Sequence, residues 1–342
     1  MNPLKRILLA AMTLAVLASC EHNVSMLTDV HADGSLDKTI VLETDDTSHN
    51  MLGIDPTHGW EAKQASLKKP DEADGTKSDN GKYKVTLKKH FPSAAAANAE
   101  LAVPNDTLFR VTSTFEKRFR WFYSYIYYAD TYHALNRLSY PIDDYLTRED
   151  YDFINRLPAE GDPMSRADSL YLAELNRKLF DIYGVRAYFE TYYTTAQDFL
   201  KKNQIGVTLD LQKDFLLNKV LNSKDVEDDF IINALDSLGI PLPPDAREQF
   251  KAMMKPTDRV TAFMSMASAG KYQHAIQMPW DVVRSNADSV AGRTLFWRPP
   301  SIKFLVKDYT LYAEARQMNY WAVALSIAVI GFTLYLLWRR RK

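Results

Sequence analysis

Seven histidines, one cysteine and several close carboxylates are the residues on which this chain could build chemistry. His22, His31, His49, His58, His90, His133 and His274 are scattered, with no H-E-x-x-H pair to hold zinc. No G-x-S-x-G elbow or glycine-rich phosphate loop occurs, and a lone Cys20 excludes Cys-x-x-Cys redox chemistry. Asp225-Val-Glu-Asp-Asp229 clusters carboxylates but lacks the glycine and spacing of a calcium loop, and reads as a solvated helix face near its N-terminus. One acid–base or metal cleft stays open, if the fold brings Asp130, His133, Asp143 and Asp144 to His274. No catalytic residue, metal ligand or cofactor is assigned. Arg118 and Arg120, interleaved with Trp121, Tyr123 and Tyr125, form the candidate binding strip. That strip suits anionic lipid headgroups or glycans. It equally suits a strand with one wet face, where arginine stems lie over apolar neighbours.

The ends of the chain read as membrane signals. Lys5 and Arg6 precede an apolar run from Ile7 to Ala18, too short to span a bilayer and laid out as a secretory signal peptide over 1–19. Leu17-Ala18-Ser19-Cys20 resembles the lipobox of bacterial lipoproteins. The resemblance implies cleavage before Cys20 and acylation, such as by palmitate, of its sulfur. From Tyr320 to Trp338 no residue is charged, and at 1.5 Å per residue this segment reaches roughly 28 Å, the thickness of a hydrocarbon core. Tyr320, Trp321, Tyr335 and Trp338 stand at its borders, and the tail 339–342 is wholly cationic, which the positive-inside bias assigns to the cytoplasm. The expected location is the cytoplasmic membrane, with the body periplasmic or otherwise extracytoplasmic.

Six of the 42 basic residues lie in the leader and tail, leaving 36 against 43 acidic ones. This balance argues against nucleic acid as a partner. The 19 tyrosines suit a membrane-near surface, a partner interface or a half-exposed sheet.

Within the body, Val24, Met26, Thr28 and Val30 alternate, Asp33-Gly34 marks a turn, and a returning strand holds Leu36, Thr39, Ile40 and Val41. Residues 43–80 read as a mobile loop, and Lys82–Phe91 as a strand. The stretch 107–130 alternates with Phe115, Phe119, Trp121, Tyr123 and Tyr125 on one parity, which predicts a single long bent strand with Arg118 and Arg120 on the opposite side. Helical spacing then governs 141–262, with capping boxes at Thr147–Asp150 and Ser165–Asp168, a kink or an end to the first half of the long helix at Gly184, and one short helix after Pro243-Pro244. Alternation returns at Tyr272, His274, Ile276 and Met278, and again at Leu311, Ala313 and Ala315. The fold class expected is α+β. A membrane-proximal antiparallel sheet is built from 20–140 and 263–319, interrupted by the helical insert 141–262 and followed by a transmembrane helix.

Asp33 and Gly34, with Asn286, Ala287, Asp288, Gly292, Thr294 and Trp297 ahead of a C-terminal span, resemble bacterial envelope lipoproteins carrying an LppM-type domain. The resemblance implies an anchored α+β envelope module and no catalytic residues. Read locally, Asn286 and Asp288 would bond their own backbone in a turn, and Gly292 would take positive φ. The function expected is a non-catalytic scaffold, sensor or recruiter in contact with membrane lipid and an unidentified envelope protein. A lipid- or glycan-binding module and an Asp/His hydrolase are the alternatives.

Overall fold

The computed structural model describes residues 23–44, 59–67, 82–102, 110–207, 209–222, 230–237, 239–240 and 242–341. The leader, Cys20, the run 225–229 and Lys342 lie outside them. The described residues fall into two compact units. One is drawn from the chain up to His133, from Ala269–Phe304 and from Asp308 onward; the other is Ala134–Ser268 with Leu305–Lys307.

The first unit is a pair of sheets. Strands β1 (Asn23–Val30), β2 (Leu36–Thr44), β3 (Glu61–Leu67), β4 (Lys82–Phe91), β7 (Lys271–Gln277), β9 (Ser289–Ala291) and β10 (Thr294–Trp297) form sheet A, in the order β3-β4-β2-β1-β7-β10-β9. Strands β5 (Val111–Arg120), β6 (Tyr123–Tyr132), β8 (Asp281–Ser285) and β11 (Tyr309–Met318) form sheet B, in the order β5-β6-β11-β8. A short helix, α1 (Ala94–Leu101), joins β4 towards β5. The single antiparallel sheet expected from the sequence is therefore two, and β1 runs parallel to β7. Period-two patterning fixes which face of a strand is buried, but not which strands share a ladder. The stretch read as a loop also contains β3, an edge strand whose Glu61–Ala65 side chains are exposed, so it never needed apolar alternation.

The expected long strand is a hairpin. Trp121 and Phe122 form a two-residue turn, with Arg120 opposite Tyr123 and Val111 opposite Tyr132. Facing positions sum to an odd number, so the inward parity switches at the turn: Val111 and Ser113 are buried on β5, then Ile126, Tyr128, Asp130 and Tyr132 on β6. The same switch puts Arg118 and Arg120 on one face with Tyr123 and Tyr125, where unbroken alternation had put them on opposite faces.

The β1–β2 loop is the expected Asp-Gly turn, widened to five residues. Asp33 accepts hydrogen bonds from the amide and hydroxyl of Ser35, and Gly34 takes φ +97°. A Cβ on Gly34 would come within 3.0 Å of the Phe115 ring, so both backbone conformation and space require glycine there.

Between β8 and β9 the chain crosses from sheet B to sheet A over Asn286–Asp288. The Asn286 amide donates to Thr310 O (2.7 Å) and accepts from Tyr312 N–H (2.9 Å), while Asp288 accepts from Arg298 N–H (2.6 Å). These side chains grip neighbouring strands, which corrects the expectation that they bond their own turn. Gly292 does take positive φ, at +62°. Trp297 is fully buried and donates its indole N–H to Asn286 O (2.9 Å).

The second unit is helical: α2 (Arg148–Arg156), α3 (Arg166–Arg177), α4 (Val185–Lys202), α5 (Lys213–Asn222), α6 (Phe230–Ser237) and α7 (Ala246–Ala269). Thr147 and Asp150 complete the expected reciprocal box; at the second site Ser165 accepts from Asp168 N–H as expected, but the Asp168 carboxylate takes the Ser165 hydroxyl rather than its backbone N–H. Asp150 further accepts from Tyr171 and Lys178. Burial opposes its ionisation, yet these bonds prevail and hold its carboxyl at about 2. Around Gly184 the kink is a π-helical turn, Lys178–Gly184, leading into α4 without a break. The short helix expected after the prolines is instead α7, which runs through the exposed Pro256 to Ala269. Proline removes one helical hydrogen bond there, but α7 has a buried face to hold it: Phe250 and Met254 pack with Tyr192, Phe199 and Leu235 in the unit's core.

A final helix, α9 (Tyr320–Arg341), follows β11 after Asn319; the four residues Ile302–Leu305 form α8. Helix α9 is long and apolar enough to cross a membrane.

Trp297→Ala removes the largest fully buried side chain of sheet A. The opening free energy of β7 and β10 amides, read by hydrogen exchange on the full chain, should fall by about 3–5 kcal/mol.

Candidate functional site

Two constellations stand out in the first unit, one sealed between its sheets and one at the junction with α9. The sealed one begins with two cross-strand pairs. Thr28 faces Lys38 across β1–β2, and Ser113 faces Asp130 across β5–β6. All four point inward and meet. Lys38 Nζ lies 2.8 and 2.9 Å from the Asp130 carboxylate oxygens and 3.2 Å from the Tyr128 hydroxyl. Asp130 also accepts from Ser113 (2.6 Å), Tyr128 (2.7 Å) and Thr28 (3.2 Å). Asp130 is 1% exposed and Lys38 6%, so the pair is enclosed between the sheets. Burial opposes charge on Asp130, but Lys38 and the hydroxyl donors overcome it and keep the carboxyl below its ordinary range.

Beside this network, His274 lies opposite Met26 in the parallel β1–β7 ladder. Its Nδ1 is 3.1 Å from the Tyr132 hydroxyl, which itself donates to Met26 Sδ (3.3 Å). Its Nε2 has no hydrogen-bond partner among the described residues. Complete burial lowers the His274 pKa to about 4, so the ring is neutral at pH 7.

The second constellation is the β5–β6 turn against the start of α9. Asn319 donates its backbone N–H to Phe122 O (2.9 Å), and its side-chain amide to Arg120 O (2.9 Å) and Trp121 O (3.2 Å). Its side-chain oxygen accepts from the Ser124 hydroxyl (2.9 Å). One asparagine thus holds three successive carbonyls of a hairpin tip. The Trp121 indole N–H donates to Ser326 Oγ (2.8 Å), and Trp321 stacks on Phe119 (ring centroids 6.1 Å) and meets Trp121 edge-on (5.6 Å).

The proposed strip lies on the outer face of sheet B. Arg120 sits over the Tyr125 ring (5.9 Å) and Arg316 over Tyr123 (4.9 Å), while Arg118 pairs with Glu116. Further along the same face, Glu116, Arg118, Tyr125, Tyr127, Arg284, Tyr312 and Glu314 line an open groove of about 490 Å³.

Of the residues considered for an acid–base cleft, the structure gathers only Asp130 and His274 in the sheet interior, each with its own hydrogen-bond partners. His133 bonds Thr112 (2.7 Å) and Asp308 (3.0 Å). Asp143 belongs to the helical unit, where it accepts from Tyr151 (2.7 Å), and Asp144 belongs to the same unit. Among the described residues no three His, Cys, Asp or Glu side chains are placed to hold a metal ion. Sequence reasoning missed Lys38, Ser113, Tyr128 and Asn319. Lys38 had a signal: it sits on the buried parity of β2 between Leu36 and Ile40, where a cation needs a buried partner.

No family model and no curated protein matches the chain. Among solved structures, the NMR structure of the folded domain of the LppM protein of Mycobacterium tuberculosis is similar at 7% identity. The match covers 87% of this chain and 91% of that one, with a TM-score of 0.25. This is a distant resemblance and assigns no family.

Lys38→Met leaves the Asp130 charge buried without its cation and should destabilise the sandwich by about 3–5 kcal/mol in chemical denaturation. Lys38→Met combined with Asp130→Asn removes both charges and should lose less than the single change. His274 has a separate signature. Its folded pKa lies below its unfolded value, so the unfolded chain takes up the proton first, and stability falls as pH drops through 6.5 towards 4. Between pH 7 and pH 5 this group alone should cost about 2 kcal/mol, a loss missing from His274→Gln when the two proteins are compared.

Proposed function

We propose that the chain is a membrane-anchored, non-catalytic envelope lipoprotein that presents its helical unit to a protein partner outside the cytoplasm. Helix α9 crosses the cytoplasmic membrane, the arginines after Trp338 stay inside, and Cys20 carries lipid. The observation that carries the reading is the Asn319 clamp, which ties the sandwich to the first turn of an apolar helix through both backbone and side chain. A body fixed in this way is held at the membrane surface. The enclosure of Lys38, Asp130 and His274 supports a structural duty for those groups.

The helical unit supplies a surface for the partner. Leu211, in the 3₁₀ turn Asp210–Gln212 that leads into α5, is 92% exposed, and Phe215 on α5 is 61% exposed, so two large apolar side chains stand uncovered at the start of that helix. Such a pair suits the apolar groove or helix face of another envelope protein. A second reading, glycan binding, draws on the open groove of sheet B, where tyrosine rings stand beside paired arginine and glutamate side chains.

Photo-crosslinking amino acids at Leu211 and at Phe215, in the full chain in its own cells, should give a protein adduct of the same mass from both positions. Leu211→Glu with the crosslinker at 215 should abolish it while the amount of membrane-bound protein stays constant. Adducts absent from both positions would remove the recruiting role.

A further inference from the structure

Ser326 lies six residues beyond Tyr320, about 9 Å along the axis of α9. The Trp121 indole bonds to it, so the β5–β6 tip reaches down beside the second turn of the apolar helix. At that depth a β-turn faces a specific difficulty, because hydrocarbon offers no donors to its backbone carbonyls and each unmet group costs several kcal/mol. Here the carbonyls of Arg120, Trp121 and Phe122 all accept from Asn319, and the indole N–H is met by Ser326. What the tip presents outward is apolar: Phe119, Trp121 and Phe122 are 59%, 46% and 47% exposed, next to Trp321 at 57%. A turn exposed to water would need neither this satisfaction nor these side chains.

Resting on the reading that α9 spans the membrane, we infer that the β5–β6 tip is a second membrane element, a hairpin wedge inserted into the leaflet where α9 enters. Its occupant is phospholipid. Phe119, Trp121 and Phe122 contact acyl chains just below the headgroups. Arg118 and Arg120 are exposed on the strand above and have stems long enough to carry their guanidinium groups back to anionic phosphates. The span sets the choice of partner, since a bilayer that takes in α9 as far as Ser326 also surrounds whatever is bonded to Ser326. The wedge fixes the sandwich against rotation about the helix axis, which a single span leaves free.

The test uses the full chain in phosphatidylcholine vesicles, with and without phosphatidylglycerol. An environment-sensitive fluorescent amino acid replaces Phe122 in one protein and Val329, within the span, in another. Lipids carrying a spin label near the headgroup should quench most of the emission from position 122, and lipids labelled at the chain end should do so at position 329. Asn319→Ala, which removes the side-chain donors to the Arg120 and Trp121 carbonyls and keeps only the backbone N–H to Phe122 O, should sharply reduce quenching at 122 and leave 329 unchanged. Arg118→Ser with Arg120→Ser should remove any gain in quenching at 122 from phosphatidylglycerol. Emission at 122 that is unquenched and red-shifted, with 329 quenched, overturns the wedge and leaves the span in place. Emission at 122 that is blue-shifted yet unquenched by either lipid means that protein covers the tip, and also overturns the wedge. Absence of quenching at both positions overturns the span itself.

Discussion

Two opposite charges enclosed between sheets set the terms for the first unit. Lys38 belongs to sheet A and Asp130 to sheet B, and neither can be buried without the other. An apolar interior would let the sheets slide by a residue pair at modest cost. A buried ion pair with three hydroxyl donors forbids it, since a slip would strand a charge in a dry core. The pair therefore defines the alignment of β1–β2 with β5–β6. Through that alignment it determines where the hairpin tip ends up, beside Asn319 and the first turns of α9. Deep interior and apolar helix are linked by a single strand pair whose inner end is locked and whose outer end is clamped.

Much of this was legible in the sequence. Alternation marked β1, β4, β7 and β11, Asp33-Gly34 marked the first turn, and Thr147 and Ser165 marked helix starts, because each signal is local and depends on side chains a few residues apart. The apolar run after Asn319 declared itself by composition alone. Gly292 also read correctly, as a left-handed turn residue.

Most of the failures share a physical origin, a partner far away in the chain. Whether 111–132 was one strand or two depended on a turn made of Trp121 and Phe122, residues with no turn preference of their own. Asn319 stabilises that turn from almost two hundred residues away. Asn286 looked like a self-contained turn residue, but its amide serves β11. The strand β3 has no apolar face because it lies at an edge, and so gave no periodic signal. Lys38 broke its strand's pattern, and the meaning of that break was set by Asp130, ninety-two residues on.

The parallel pairing of β1 with β7 has a consequence for the order in which the molecule is made. The strand beginning at Asn23 leaves the ribosome long before the strand beginning at Lys271, and every helix of the second unit is synthesised between them. Throughout that interval β1 can zip to β2 on one side, while its other edge offers a row of open donors and acceptors. That edge lies open to neighbouring chains until β7 has been made, so the moment of greatest danger for this protein comes before its fold exists.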